Sequence, residues 1–73
     1  MPECCDSVID SLVERRKAVG MTQTELAEAT DLTQSVIARM ENKKVVPQLN
    51  TLLKIVMALG CNLELVPANN YAE

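Results

Sequence analysis

Gly20, Pro47, Gly60 and Pro67 punctuate this chain and set where its regular elements can run, and no repeat or low-complexity tract appears. Between Ser7 and Val19, at about 100° per residue, Val8, Val19, Leu12, Ile9 and Val13 share one arc of about 140°, the apolar stripe of a helix packed on a core. Gly20 ends that helix. Thr22-x-x-Glu25 is a capping box, which predicts a second helix over Gln23 to Thr30, and Asp31-Leu32 supplies a tight turn. Thr33 caps a third helix, Gln34 to Asn42. A basic loop through Pro47 leads to a fourth, Leu49 to Leu59, closed by Gly60.

After Gly60 the period changes to two. Asn62 and Glu64 alternate with Leu63 and Leu65, as in a half-buried strand ended by Pro67. No other segment reads as a strand, so the backbone groups of Cys61 to Val66 call for a partner, and a second copy of the chain is the simplest source. Residues 68–73 form a polar tail.

Seventy-three residues make one small domain, and a chain of this size buries roughly 60% of the surface it exposes when unfolded. Apolar residues are 48% of the sequence, but Tyr71 is its single aromatic and His, Trp and Phe are absent, so aliphatic side chains must build the core. No apolar run reaches the ~18 residues of a membrane span, and the N-terminus lacks the pattern of a signal peptide. A cytoplasmic location, with no membrane partner, is expected. Cys4, Cys5 and Cys61 are odd in number and two are adjacent, a poor basis for a disulfide framework, so reduced thiols are expected. Without His, and with these cysteine spacings, no metal site or cofactor is expected. The same thiols lack a base partner, and the acidic pairs Glu25/Glu28 and Asp6/Asp10 read as solvated helix surface, so the chain is not expected to be an enzyme.

The net charge of −3 is unevenly spread. Between Thr33 and Lys54, Arg39, Lys43, Lys44 and Lys54 face Glu41 alone, a local +3, and the remaining residues carry −6. The third helix lies in this basic stretch. On its wheel Gln34, Ala38, Asn42, Ser35 and Arg39 form one continuous small and polar arc of about 140°, opposite Val36, Met40 and Ile37. Such a helix buries one face and exposes the other, either as ordinary solvated surface or as a row suited to the DNA major groove, where Gln can bond adenine, Arg guanine, and the Ala methyl can meet thymine.

The preceding residues strengthen that reading. Leu26 and Ala27, Asp31-Leu32, then Ile37 and Met40 fit the apolar template of a helix-turn-helix. With Arg16…Gly20-Met21-Thr22-Gln23-x-Glu25-Leu26-Ala27, Leu32-Thr33-Gln34-Ser35-x-Ile37-x-Arg39-Met40-Glu41-Asn42, Pro47-x-Leu49-x-Thr51-Leu52-Leu53-Lys54 and Ala58-Leu59-Gly60, the chain resembles the Cro/phage-repressor type of helix-turn-helix regulator, the xenobiotic response element family. The resemblance covers Arg15 to about Pro67. It implies an all-α, compact four-helix domain of the lambda-repressor-like type over residues 1–67, here with a short C-terminal β-strand, 61–67, that pairs between chains, and the polar tail 68–73 after it.

The resemblance also implies roles. Base reading falls to Gln34, Ser35, Ala38 and Arg39, and phosphate contact to Gln23, Thr33, Asn42, Lys43 and Lys44. Two positions depart from the family, since Asp31 and Lys43 stand where it usually has glycine. Arg16 falls within the apolar arc of the first helix and Glu41 at the edge of the buried arc of the third; the family pairs these positions, so an ion pair is expected. The fourth helix is apolar over about 200°, about twice the stripe one small core needs, which predicts a homodimer interface including Met57, Leu63 and Leu65. The expected partners are thus a palindromic double-stranded DNA operator and a second copy. A strand and tail in place of a fifth helix look like the short antitoxins of toxin–antitoxin operons, which implies a repressor with a toxin protein as a further partner. The competing reading is a protein-interaction module of the same fold that has lost DNA binding, favoured by the net negative charge.

Overall fold

A computed structural model describes the backbone of residues 3–67 and the side chains of residues 6–67; Cys4, Cys5 and the tail fall outside what is described for side chains or at all. Four α-helices follow in order: α1 (Glu3–Ala18), α2 (Gln23–Thr30), α3 (Gln34–Glu41) and α4 (Leu49–Ala58). Helix α1 starts a turn earlier than the apolar stripe predicts, because neither Gly nor Pro lies between Glu3 and Gly20 to stop it. The other boundaries agree with the expected ones to within one residue. The all-α four-helix fold is therefore as expected.

All four helix ends share one device. Gly20, Asp31, Lys43 and Gly60 have φ of 79°, 60°, 62° and 75°, and each is followed by a residue whose N–H reaches back into the last turn. The pairs are Met21 N–H to Arg16 O, Leu32 to Ala27 O, Lys44 to Arg39 O and Cys61 to Val56 O, at 2.9–3.0 Å. This is the Schellman arrangement, which satisfies carbonyls that a helix end leaves without partners. Two of the four left-handed residues, Asp31 and Lys43, are not glycine and hold this conformation at a steric cost of order 1 kcal/mol each.

The core consists of Ile9 and Leu12 from α1, Leu26 and Ala27 from α2, Ile37 and Met40 from α3, and Ile55, Val56 and Leu59 from α4 and its end. It is wholly aliphatic but for one thioether. Arg15 adds a polar tie, donating from Nε to the Leu59 carbonyl at 3.0 Å and so fastening α1 to the end of α4. Thr30 is buried in α2 with its hydroxyl bonded to the Leu26 and Ala27 carbonyls, at 2.8 and 3.2 Å. Val36 corrects the expected face of α3: it is exposed, because the buried arc centres between Ile37 and Met40 and Val36 lies at its margin. Val8 is likewise at the exposed margin of the α1 stripe, and Val19 is exposed just beyond the helix end at Ala18.

Residues 61–67 carry no regular secondary structure, so the expected strand is not present in the single chain. The physical reason is the one its sequence raises: a strand is defined by a neighbour's backbone, and none of the described elements offers an edge. Leu65 is fully exposed, whereas Leu63, 46% exposed, lines a shallow depression of its own chain with Val8, Leu12 and Val56.

Candidate nucleic-acid interface

Helices α2 and α3 are joined by three residues and share the buried cluster of Leu26, Ala27, Ile37 and Met40. Two caps set their starts. Thr22 Oγ1 accepts from Glu25 N–H at 3.1 Å while Glu25 Oε1 accepts from Thr22 N–H at 2.9 Å, the complete capping box. Thr33 Oγ1 accepts from Val36 N–H at 3.2 Å, leaving its own hydroxyl proton unused by this contact. Burying Ile37 and Met40 turns Gln34, Ser35 and Arg39 outward as exposed side chains, with Ala38 half-buried between them. Asn42, Lys43 and Lys44 follow on the exposed end of α3.

A chain of hydrogen bonds runs from the core to the outward face. Arg16 lies in the interior with its guanidinium on Glu41 through two bonds, Nε to Oε2 at 2.7 Å and Nη2 to Oε1 at 2.9 Å, and a third from Nη1 to the Met21 carbonyl at 2.8 Å. Both side chains are 10% exposed or less, so the pair is desolvated, and its donors and acceptors are nonetheless matched. Glu41 Oε1 also accepts from Gln23 Nε2 at 2.9 Å, and Gln23 Oε1 accepts from Gln34 Nε2 at 2.7 Å.

The order of these bonds has a directional consequence. A carboxylate only accepts, so Glu41 turns the Gln23 amide with nitrogen inward and oxygen toward Gln34. Gln34 must then donate to it, which leaves Gln34 Oε1 and one N–H facing outward. That is the acceptor–donor pair an adenine edge takes through N6–H and N7. Gln23, expected at a phosphate, is therefore half-buried and committed to two side chains, with one amide proton to spare.

Lys43, also expected at a phosphate, forms a second ion pair that the sequence did not suggest. Its Nζ stands 2.7 Å from Oδ1 of Asp10 on α1, and the bond to Asp10 raises the lysine pKa above its ordinary value. Asp10 carries no local signal for this role, because the contact joins elements far apart in sequence. Among the described residues no group of Cys, Asp and Glu could hold a metal ion. Cys61 is a half-buried free thiol whose Sγ contacts the Leu59 carbonyl at 3.7 Å. No described helix is long and apolar enough to cross a membrane.

Two helices crossed over a three-residue turn, with the second presenting a polar row, define a helix-turn-helix domain. The sequence pattern of the helix-turn-helix family matches residues 12–66, and the chain belongs to that family, in its Cro/phage-repressor (xenobiotic response element) form. The family is one of transcription regulators rather than enzymes. An HTH-type transcriptional regulator of Haemophilus influenzae, itself uncharacterised, is 38% identical over 61 residues, 84% of this chain. The chain spans 62% of that relative's length. Among solved structures, a toxin–antitoxin module from Streptococcus pneumoniae superposes with a TM-score of 0.72 at 39% identity, over 90% of this chain and 72% of that one.

Proposed function

We propose that the chain is a sequence-specific double-stranded DNA-binding repressor that reads a palindromic operator in the major groove as a homodimer, and that it serves as the antitoxin of a toxin–antitoxin pair. The outward row of Gln34, Ser35 and Arg39 on α3 carries the DNA reading, since the Arg16–Glu41–Gln23 chain orients the Gln34 amide before any base arrives. In this reading Gln34, Ser35, Ala38 and Arg39 meet bases. Thr33, the spare proton of Gln23, Asn42, Lys43 and Lys44 meet phosphates, the first two at helix starts whose amide groups favour an anion.

The dimer is supported by apolar surface left over on α4. Leu49, Leu53 and Met57 are 64%, 38% and 71% exposed and recur every four residues, a continuous stripe beside the buried Val56. Leu63, Leu65 and Val66 extend this exposed apolar set beyond the helix. A second copy laid across a two-fold axis, with the 61–67 segments antiparallel, covers both and holds two α3 helices about 34 Å apart, one turn of DNA. The antitoxin assignment rests on the likeness to the pneumococcal module, and Ala68 to Glu73 offers the toxin a polar tail.

An electrophoretic shift on the DNA upstream of the chain's own gene, with a scrambled duplex as competitor at moderate salt, tests the reading. Preference for the upstream fragment supports it. Equal affinity for both, or none, turns the assignment to an interaction module without DNA specificity.

A further inference from the structure

We propose that Asp10 limits the chain's affinity for the DNA backbone by holding Lys43 as an internal substitute for a phosphate; the proposal rests on the DNA-binding reading above. Lys43 is not on a free loop. It is the left-handed residue that ends α3, at φ 62°, and its N–H and that of Lys44 are bonded to the Met40 and Arg39 carbonyls, both at 2.9 Å. The helix end therefore fixes where its side chain leaves the backbone, beside the row that faces the groove. Glycine would hold the same φ without strain, so what lysine adds at this position is its ammonium group. That group is 2.7 Å from Asp10, and the pair is open to solvent, with side-chain exposures of 36% for Lys43 and 63% for Asp10. A phosphate oxygen can replace the carboxylate oxygen at Nζ without any change of fold.

The surroundings favour the internal anion. Asp10 lies on an arc of α1 that also carries the exposed Asp6 and Glu14, within about 80° on the wheel. Asp6 adds to the negative field at Lys43. Together Asp10 and Lys43 show no net charge to an approaching duplex, whereas Lys44 pairs with no carboxylate among the described residues. The loop after α3 contains two lysines but acts on the backbone as one. Because phosphates carry no sequence information, Asp10 lowers affinity for all DNA alike and leaves the base reading by Gln34 and Arg39 untouched.

The test measures binding of the full chain to a random-sequence duplex and to the DNA upstream of its gene, across a fourfold range of salt. It compares the parent chain, Asp10→Asn, Lys43→Gln and the double variant. Asp10→Asn is expected to tighten binding to both duplexes and to steepen the salt slope by about 0.9, which is about 3.5-fold more affinity lost over that range. Lys43→Gln is expected to abolish this gain in the double variant. Circular dichroism checks that each variant folds, and Asp10→Ser replaces Asp10→Asn if helicity falls. Unchanged affinity and slope in a folded Asp10 variant overturn the proposal. So does an equal gain with Lys43 absent, which would make Asp10 a simple repulsive charge. A parent chain that binds neither duplex overturns the DNA reading and this proposal together, whereas DNA binding that is indifferent to Asp10 removes this one alone.

Discussion

The Arg16–Glu41 pair shows how a single buried charge organises a site. Removing water from both ions costs several kcal/mol, and only the two-bond geometry and the added bonds from Gln23 and to Met21 offset it. Glu41→Ala should therefore destabilise the fold by about 3 to 5 kcal/mol by stranding the guanidinium, while the paired change Arg16→Met with Glu41→Leu should be nearly neutral in stability. Chemical denaturation of the three proteins checks this. The paired change should still weaken base discrimination, since Gln23 would lose the acceptor that orients it. At the groove face, Gln34→Ala and Arg39→Ala are each expected to weaken specific binding by about 1 to 3 kcal/mol with little effect on melting temperature. Titrations on the upstream duplex beside thermal melts separate the two effects, and full affinity in both variants would remove α3 from the interface.

Helix starts and stops were legible in the sequence because caps are local chemistry. Thr22-x-x-Glu25 and Thr33 place α2 and α3 to within one residue, and both caps are formed. The α1 start was not, since an apolar stripe marks which face is buried and not how far the helix runs beyond the core. The four left-handed helix ends yield a further expectation. Asp31→Gly should raise stability by up to about 1 kcal/mol, because glycine adopts φ 60° without the Cβ clash, partly opposed by its greater freedom when unfolded. Gly60→Ala should lower it by about 1 kcal/mol or more, since φ is 75° there, although the space around the added methyl is adequate, with Arg15 Nη2 at 3.6 Å. Melting curves of both variants decide the signs.

For the whole molecule the exposed side of α4 bears on the proposed second copy. A domain of this size leaves α4 with Leu49, Leu53 and Met57 outward because α1, α2 and α3 fill only its other side. Met57→Glu in the full chain should shift light scattering from dimer to monomer at tens of micromolar while leaving helicity intact. A parent chain that is monomeric at that concentration would show the stripe and the 61–67 segment to be surface of a monomer. Loss of the dimer should also weaken operator binding more than binding to a single half-site, because two α3 helices then act independently.

By itself the sequence determined four helices, their order, the aliphatic core and the polar row of α3, because capping residues, glycine stops and a 3.6-residue apolar period act over a few residues and need no partner. It also placed Arg16 within the apolar arc of α1 and Glu41 at the edge of the buried arc of α3. Only the tertiary structure decided what those side chains touch: that Gln23 is spent between Glu41 and Gln34, that Asp10 holds Lys43, that Val36 lies outside the core, and that 61–67 has no strand partner among the described residues. Each of these turns on the distance between groups far apart along the chain, which packing sets and no local period encodes.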